Sequence, residues 1–167
     1  VTTATKLDRR MYAVMNDRAA APMYATAARR RAVIGAHLLL TAAGFAAWSA
    51  TMFSDARWPL FAMLAVLPLW VVATGAINGA TRGLLELRSR MLDERQLAER
   101  DRVHAVAHRS TGLLLLLAAA GVGAAGWFGG LQVEGLVAPV LFAALTVHWL
   151  MPLWVAGLRI QDDPAED

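Results

Sequence analysis

Residues 33–54 read VIGAHLLLTAAGFAAWSATMFS and contain no Asp, Glu, Lys or Arg. The same holds for residues 58–81, WPLFAMLAVLPLWVVATGAINGAT, and for the runs 110–133 and 135–158. Each run exceeds the roughly 20 residues that a helix needs to cross the hydrocarbon layer. In lipid every backbone N–H and C=O requires a partner within the chain, so such runs are forced into helices. A buried helix of a soluble domain rarely stays charge-free for so long. Four runs together predict an all-α fold, an integral membrane four-helix bundle with spans at about 33–54, 58–80, 110–133 and 135–158.

The rest of the composition agrees. The 167 residues are 57% hydrophobic and 17% charged. Mean hydropathy is +0.45, yet the pI is near 10.2. An apolar chain with so basic a pI must keep its charges apart from its apolar runs. Such hydrophobicity excludes a disordered chain. The absence of Cys excludes a disulfide framework, a thiolate metal site, a Cys nucleophile and c-type haem attachment.

The basic residues set the orientation. Lys6, Arg9, Arg10, Arg18, Arg29, Arg30 and Arg31 precede the first run. Arg82, Arg88, Arg90, Arg95, Arg100, Arg102 and Arg109 lie between the second and third, and Arg159 follows the fourth. Only Arg57 falls in an opposite loop. The positive-inside rule then places both termini and the central segment in the cytoplasm of a bacterial cell (inner) membrane. Trp48, Phe53, Trp58, Trp127 and Phe128 gather at the other face as an aromatic belt. The outer loops are short: residues 54–57 join the first hairpin, and Gly129, Gly130 and Glu134 lie in the second turn. Arg30-Arg31 faintly resembles a twin-arginine export signal, but a further span follows instead of a soluble domain. The basic residues are accounted for by topology, so no nucleic-acid partner is expected.

Matches at an offset near eighty residues suggest a tandem duplication. Leu7-Asp8-Arg9-Arg10 pairs with Leu92-Asp93-Glu94-Arg95, and Asp17-Arg18 with Asp101-Arg102. The strongest pair is Pro68-Leu69-Trp70-Val71 with Pro152-Leu153-Trp154-Val155. On this reading residues 1–81 form a first repeat, 82–158 a second, and 159–167 an acidic tail. Pro59 and Pro139 lie near span starts, where a missing N–H costs little. Pro68 and Pro152 lie inside spans and should kink them.

The central segment 82–109 is dense in both charges. Asp93, Glu94, Arg95 and Gln96 read as a helix start, with Asp93 as N-cap and Gln96 closing a capping box. Leu92 and Leu97 fit the hydrophobic staple of that start. The helix is expected to run on into the third span. Leu84, Leu85, Leu87 and Met91 are expected to extend the second span, giving a helical hairpin below the bilayer. Leu7-Asp8 would start the equivalent helix of the first repeat. The pattern LDERQ followed by RDR at residues 92–102, ahead of a span, resembles small membrane proteins of high-GC actinobacteria. The 15 Arg against one Lys fit such a genome. The resemblance covers about the central forty residues and implies no activity or site residues.

Ionisable residues within spans are functional candidates. Here they are His37 and His148, which could hold a b-type haem or relay a proton. The competing reading has His37 snorkelling to the interface and His148 bonding a neighbouring helix. His104 and His108, spaced i, i+4, share a helix face and could bind a metal, with Asp101 as a third ligand. The competing reading is an exposed interfacial helix. Gly75, Gly79 and Gly83 form a stripe that suits close helix packing, within the chain or in a homodimer. Asn78 inside that stripe could hydrogen-bond across the contact. Thr41 and Thr74 are isolated hydroxyls of the kind that satisfy backbone carbonyls. Three functions follow as candidates: a non-catalytic accessory or regulatory subunit contacting a partner or lipid head groups, a small dimeric transporter or channel, and a haem-binding electron carrier.

Overall fold

The computed structural model describes residues 4–17, 20–129 and 137–160. The proposed second outer turn (Gly130, Glu134), Arg18 and the acidic tail from residue 161 lie outside them. The elements are α1 (Lys6–Met15), α2 (Ala21–Tyr24), α3 (Ala27–Phe53), α4 (Trp58–Ala80), a 3₁₀ turn (Ser89–Met91), α5 (Glu94–Gly129) and α6 (Val137–Arg159). The helices α3, α4, α5 and α6 are each long and apolar enough to cross a membrane. They form a four-helix bundle in which α3 packs on α4 and α5 on α6, while α6 also meets α3 and α4. The core sits toward one end, where Ile34, Ile77, Ala107, Leu150, Met151, Leu153 and Trp154 meet.

Local sequence explains the ends. Pro59 occupies the first turn of α4, where its missing N–H costs nothing. Pro68 and Pro152 lie inside continuous helices. Asp93 and Gln96 form the expected reciprocal box: Gln96 N donates to Asp93 Oδ1 at 2.7 Å and Asp93 N to Gln96 Oε1 at 3.0 Å. From there α5 runs unbroken into the third apolar run.

Two expectations are corrected. The second span does not continue through Leu84–Met91. It ends at Ala80 because Gly83 N donates to Asn78 O and Arg82 N to Gly79 O. These are the paired bonds of a Schellman stop, with Arg82 (φ 52°) and Gly83 (φ 69°) both left-handed. Gly83 is thus a helix terminator rather than the last member of a packing stripe. Nor does Leu7-Asp8 begin α1 as Leu92-Asp93 begins α5. Thr5 is the N-cap of α1 and Asp8 stands at its third position. The segments ahead of α3 and of the third apolar run are therefore built differently, one as short separate helices and one as an extension of α5.

Side-chain contacts fix the register of the helices. Arg159 Nε donates to Glu99 Oε1 at 2.8 Å, and Arg30 Nη2 to Ile160 O at 3.2 Å. Arg30 of α3, the end of α6 and Glu99 of α5 therefore stand level. No tall hairpin projects below them, since α5 joins the bundle little more than a turn after its start. At the closest crossing, α6 brings Gly157 against α3 and α4. A Cβ on Gly157 would lie 2.9 Å from Ile34 Cδ1 and 3.1 Å from Ile77 Cγ2. Both isoleucines are almost fully buried and have little room to turn. By contrast, a Cβ on Gly75 meets nothing within 4 Å.

Gly157→Ala is therefore expected to cost about 1–3 kcal/mol through overpacking. Gly75→Ala should be neutral or stabilising by up to about 1 kcal/mol. Unfolding in mixed micelles followed by circular dichroism compares the two. Equal effects would contradict the crossing at Gly157.

Candidate functional site

Two polar constellations stand out, one inside the bundle and one at its basic end. Inside, His37 is fully buried at a distance of several turns from the start of α3. Trp154 Nε1 donates to His37 Nδ1 at 2.9 Å. The ring is therefore the neutral tautomer with its proton on Nε2, which lies 2.9 Å from Thr74 Oγ1. Thr74 donates onward to Trp70 O at 2.8 Å. Trp70 Nε1 donates to Thr41 Oγ1 at 2.9 Å, and Thr41 donates to His37 O at 2.8 Å. The chain of bonds closes on the residue where it began. Every donor in it has an acceptor, as a water-free environment demands.

The sequence had marked each part of this loop without joining the parts. Trp70 and Trp154 come from the two Pro-Leu-Trp-Val tetrapeptides and stand on either side of His37, with ring centroids at 4.9 and 6.1 Å. Thr41 and Thr74 do satisfy carbonyls four residues back, as expected, but each also accepts from an aromatic or imidazole N–H. His37 does not snorkel to the interface. Its two ring nitrogens are engaged by Trp154 and Thr74, whereas His148 is exposed on α6. The structure does not bring His37 and His148 together. The loop is a structural clasp joining α3, α4 and α6.

The basic end is built around Asp8, which is 4% exposed. Its carboxylate accepts from Thr5 N at 2.7 Å and Thr5 Oγ1 at 2.8 Å, and pairs with Arg90, with Arg88 Nε at 3.7 Å. At the other end of α1, Met15 packs on Gly83, whose missing Cβ leaves the room. Both ends of α1 are thus docked on the segment that follows α4. Arg100 ties the same segment to α5 through Leu87 O and Ser89 Oγ. With Asp8 turned inward, Leu7, Met11 and Val14 form an i, i+4, i+7 stripe that stays exposed, Leu7 by 59% and Val14 by 66%. Lys6, Arg9 and Arg10 are exposed on the same short helix. A groove of about 130 Å³ lies between Leu7, Met11, Leu87 and Met91.

The remaining sequence candidates are placed as follows. His104 and His108 are exposed on α5, as is Asp101. Among the described residues no three or more His, Asp or Glu side chains form a metal-ligating group. Gly79 receives the Tyr24 ring, 3.3 Å from a built Cβ, so that part of the stripe is filled from within the chain. Asn78 Oδ1 is buried and has no hydrogen-bond partner, so Asn78 does not make the expected bridge through that atom. Asp93, Glu94 and Arg95 are exposed at the start of α5 and Gln96 is partly buried. No family model matches the chain, and no curated protein or solved structure is similar to it.

Two predictions follow from these constellations. His37→Leu and Trp154→Phe should each destabilise by about 1–3 kcal/mol, and their double-mutant cycle should show coupling of about 0.6–1.7 kcal/mol. Additive effects in detergent unfolding would contradict the bond between them. The second prediction concerns acid. The Thr5 backbone N–H is the main cause holding the Asp8 carboxyl below the usual range; burial opposes it, and the Thr5 hydroxyl and Arg90 add to the lowering. A lowered native value stabilises fully above the unfolded value near 3.9, and that stabilisation disappears as pH falls through the native one. The protection of the α1 amides from hydrogen exchange, taken relative to the unstructured rate at each pH, should fall on acidification below about pH 4. In Asp8→Asn those amides should exchange fast already at neutral pH, with no acid step.

Proposed function

We propose that the chain is a non-catalytic accessory or regulatory protein of a bacterial cell membrane, with both termini cytoplasmic, that engages anionic lipid head groups through α1 and the arginines around it. The observation that carries this reading is the docking of α1. The Asp8–Arg90 pair and the Met15–Gly83 contact hold it directly below the end of α4. It leaves Leu7, Met11 and Val14 exposed there beside Arg10, with Lys6 and Arg9 exposed on the remaining faces of the helix. An amphipathic helix with cations flanking an apolar stripe lies in the interface, its stripe in the acyl boundary and its cations among phosphates. Arg82 and Arg88 are exposed on the segment that α1 docks on, and Arg29 and Arg31 are exposed at the start of α3. Each basic residue near an anionic surface contributes about 1 kcal/mol.

The absence of native cysteine makes single labels clean. A nitroxide on Val14→Cys should favour collisions with oxygen over a soluble nickel complex in vesicles containing phosphatidylglycerol. Replacing Lys6, Arg9 and Arg10 together with Gln should shift the label toward water. A label at Val14 as water-exposed as one at Asp93 in both lipids would sink this reading. Orientation has its own check in intact cells. An impermeant maleimide should label Asp55→Cys directly and Arg95→Cys only after permeabilisation; the reverse order would invert the topology.

A further inference from the structure

The register of α5 leaves a conflict that its own chain does not resolve. Three helices place the hydrocarbon layer at one depth. Their charge-free stretches, after Arg31 in α3, from Trp58 to Thr81 and up to Leu158 in α6, start and stop together. At its basic end this layer begins at the level of Arg30, Arg159 and Glu99. The charge-free run of α5, however, starts only at Ser110, about 16 Å further along the axis than Glu99. His104, His108 and Arg109 therefore stand about 8, 14 and 15 Å inside the layer defined by the other helices. All three are exposed. Arg102, near the boundary and 68% exposed, can snorkel out; Arg109 and His108 are too deep. Ionisable groups at such depth face protein or a water-filled space, not lipid.

The exposed face of α5 has the form of a helix-pairing seam. Ala98, Asp101, Ala105, His108, Gly112 and Leu115 follow one another at alternating spacings of three and four residues. All six are exposed, and a Cβ on Gly112 would meet nothing within 4 Å. Val103, Ala107 and Thr111, which pack into the chain's own bundle, lie on a different face. Alternating three–four spacing is the pattern of two parallel helices in contact, and alanine and glycine let their backbones approach closely.

We infer that this face is the contact with a second copy of the chain, related by a two-fold axis along the membrane normal; the inference rests on reading α3 to α6 as membrane spans. The face carries an acid, Asp101, with a base at its edge, Arg102, which also stands 3.8 Å from Glu99 of its own chain, so the two copies present opposite charges to each other. In parallel pairing the position of Asp101 packs beside the residue following its counterpart, which is Arg102 of the second copy. The same contact removes His108 from lipid and, by the same rule, sets Arg109 beside the second copy's His108 at the edge of the seam. The resulting homodimer uses α5, not the glycines of α4.

The test is disulfide trapping in proteoliposomes holding only this protein, so that only a second copy can react. Ala105→Cys and Gly112→Cys should each oxidise to a covalent dimer, since paired small residues bring Cα atoms within the about 7 Å a disulfide needs. Val72→Cys, exposed on α4, should neither dimerise nor react with maleimide. Maleimide-reactive monomers at positions 105 and 112 would mean a water-filled cleft and overturn the inference. Unreactive monomers there would mean lipid contact and overturn it too. Free maleimide labelling of Val72→Cys would instead overturn the membrane reading, and the inference with it.

Discussion

A polar group inside hydrocarbon cannot fall back on water, and this constraint organises the structure at three scales. The backbone answers it with four long helices. His37 answers it with the closed loop of hydrogen bonds through Trp154, Thr74, Trp70 and Thr41. A single open end in that loop would leave a buried donor unmatched, at about 1–3 kcal/mol. The polar face of α5 meets the same constraint without an answer inside one chain, which is why a second copy enters the account.

Most of the fold was legible because the signal was long. A charge-free run of more than twenty residues allows one structure in lipid; α4 coincides with its run, while α3 begins at Ala27 and α5 at Glu94, ahead of theirs. The start of α5 was also legible, since a capping box is a local device whose partners lie three residues apart. The end of α4 was harder. Leu84, Leu85 and Leu87 read as helix, but Gly83 and the left-handed Arg82 stop the helix before them. Glycines every fourth residue mimic a packing stripe, and only geometry shows that Gly79 accepts Tyr24 while Gly83 ends the helix. Gly157, where α6 comes against α3 and α4, carried no signal at all. Its role depends on where α6 crosses Ile34 and Ile77.

The candidate sites show the same division between local and distant information. His37 was conspicuous as an imidazole within a span, but its partners come from two other helices 37 and 117 residues away. His148, the other imidazole within an apolar run, is exposed on α6 and takes no part in that cluster. The repeated Pro-Leu-Trp-Val was visible as repetition; its use as two indole donors around one ring was not. At the basic end, Asp8 looked like the start of a helix. It is a buried anion that turns the apolar stripe of α1 outward, and that orientation makes a membrane-surface reading possible.

The depth of the charged face follows from the register of α5 against α6. That register pairs Glu99 with Arg159 and so places Leu117 and Leu141 level. Both are exposed, by 59% and 63%. Nitroxides attached to Leu117→Cys and Leu141→Cys in bilayers report depth through the ratio of oxygen to nickel-complex collisions. The account predicts the same depth for the two labels. If each apolar run centred itself in the bilayer independently, they would differ by about 15 Å along the membrane normal, and that result would contradict it.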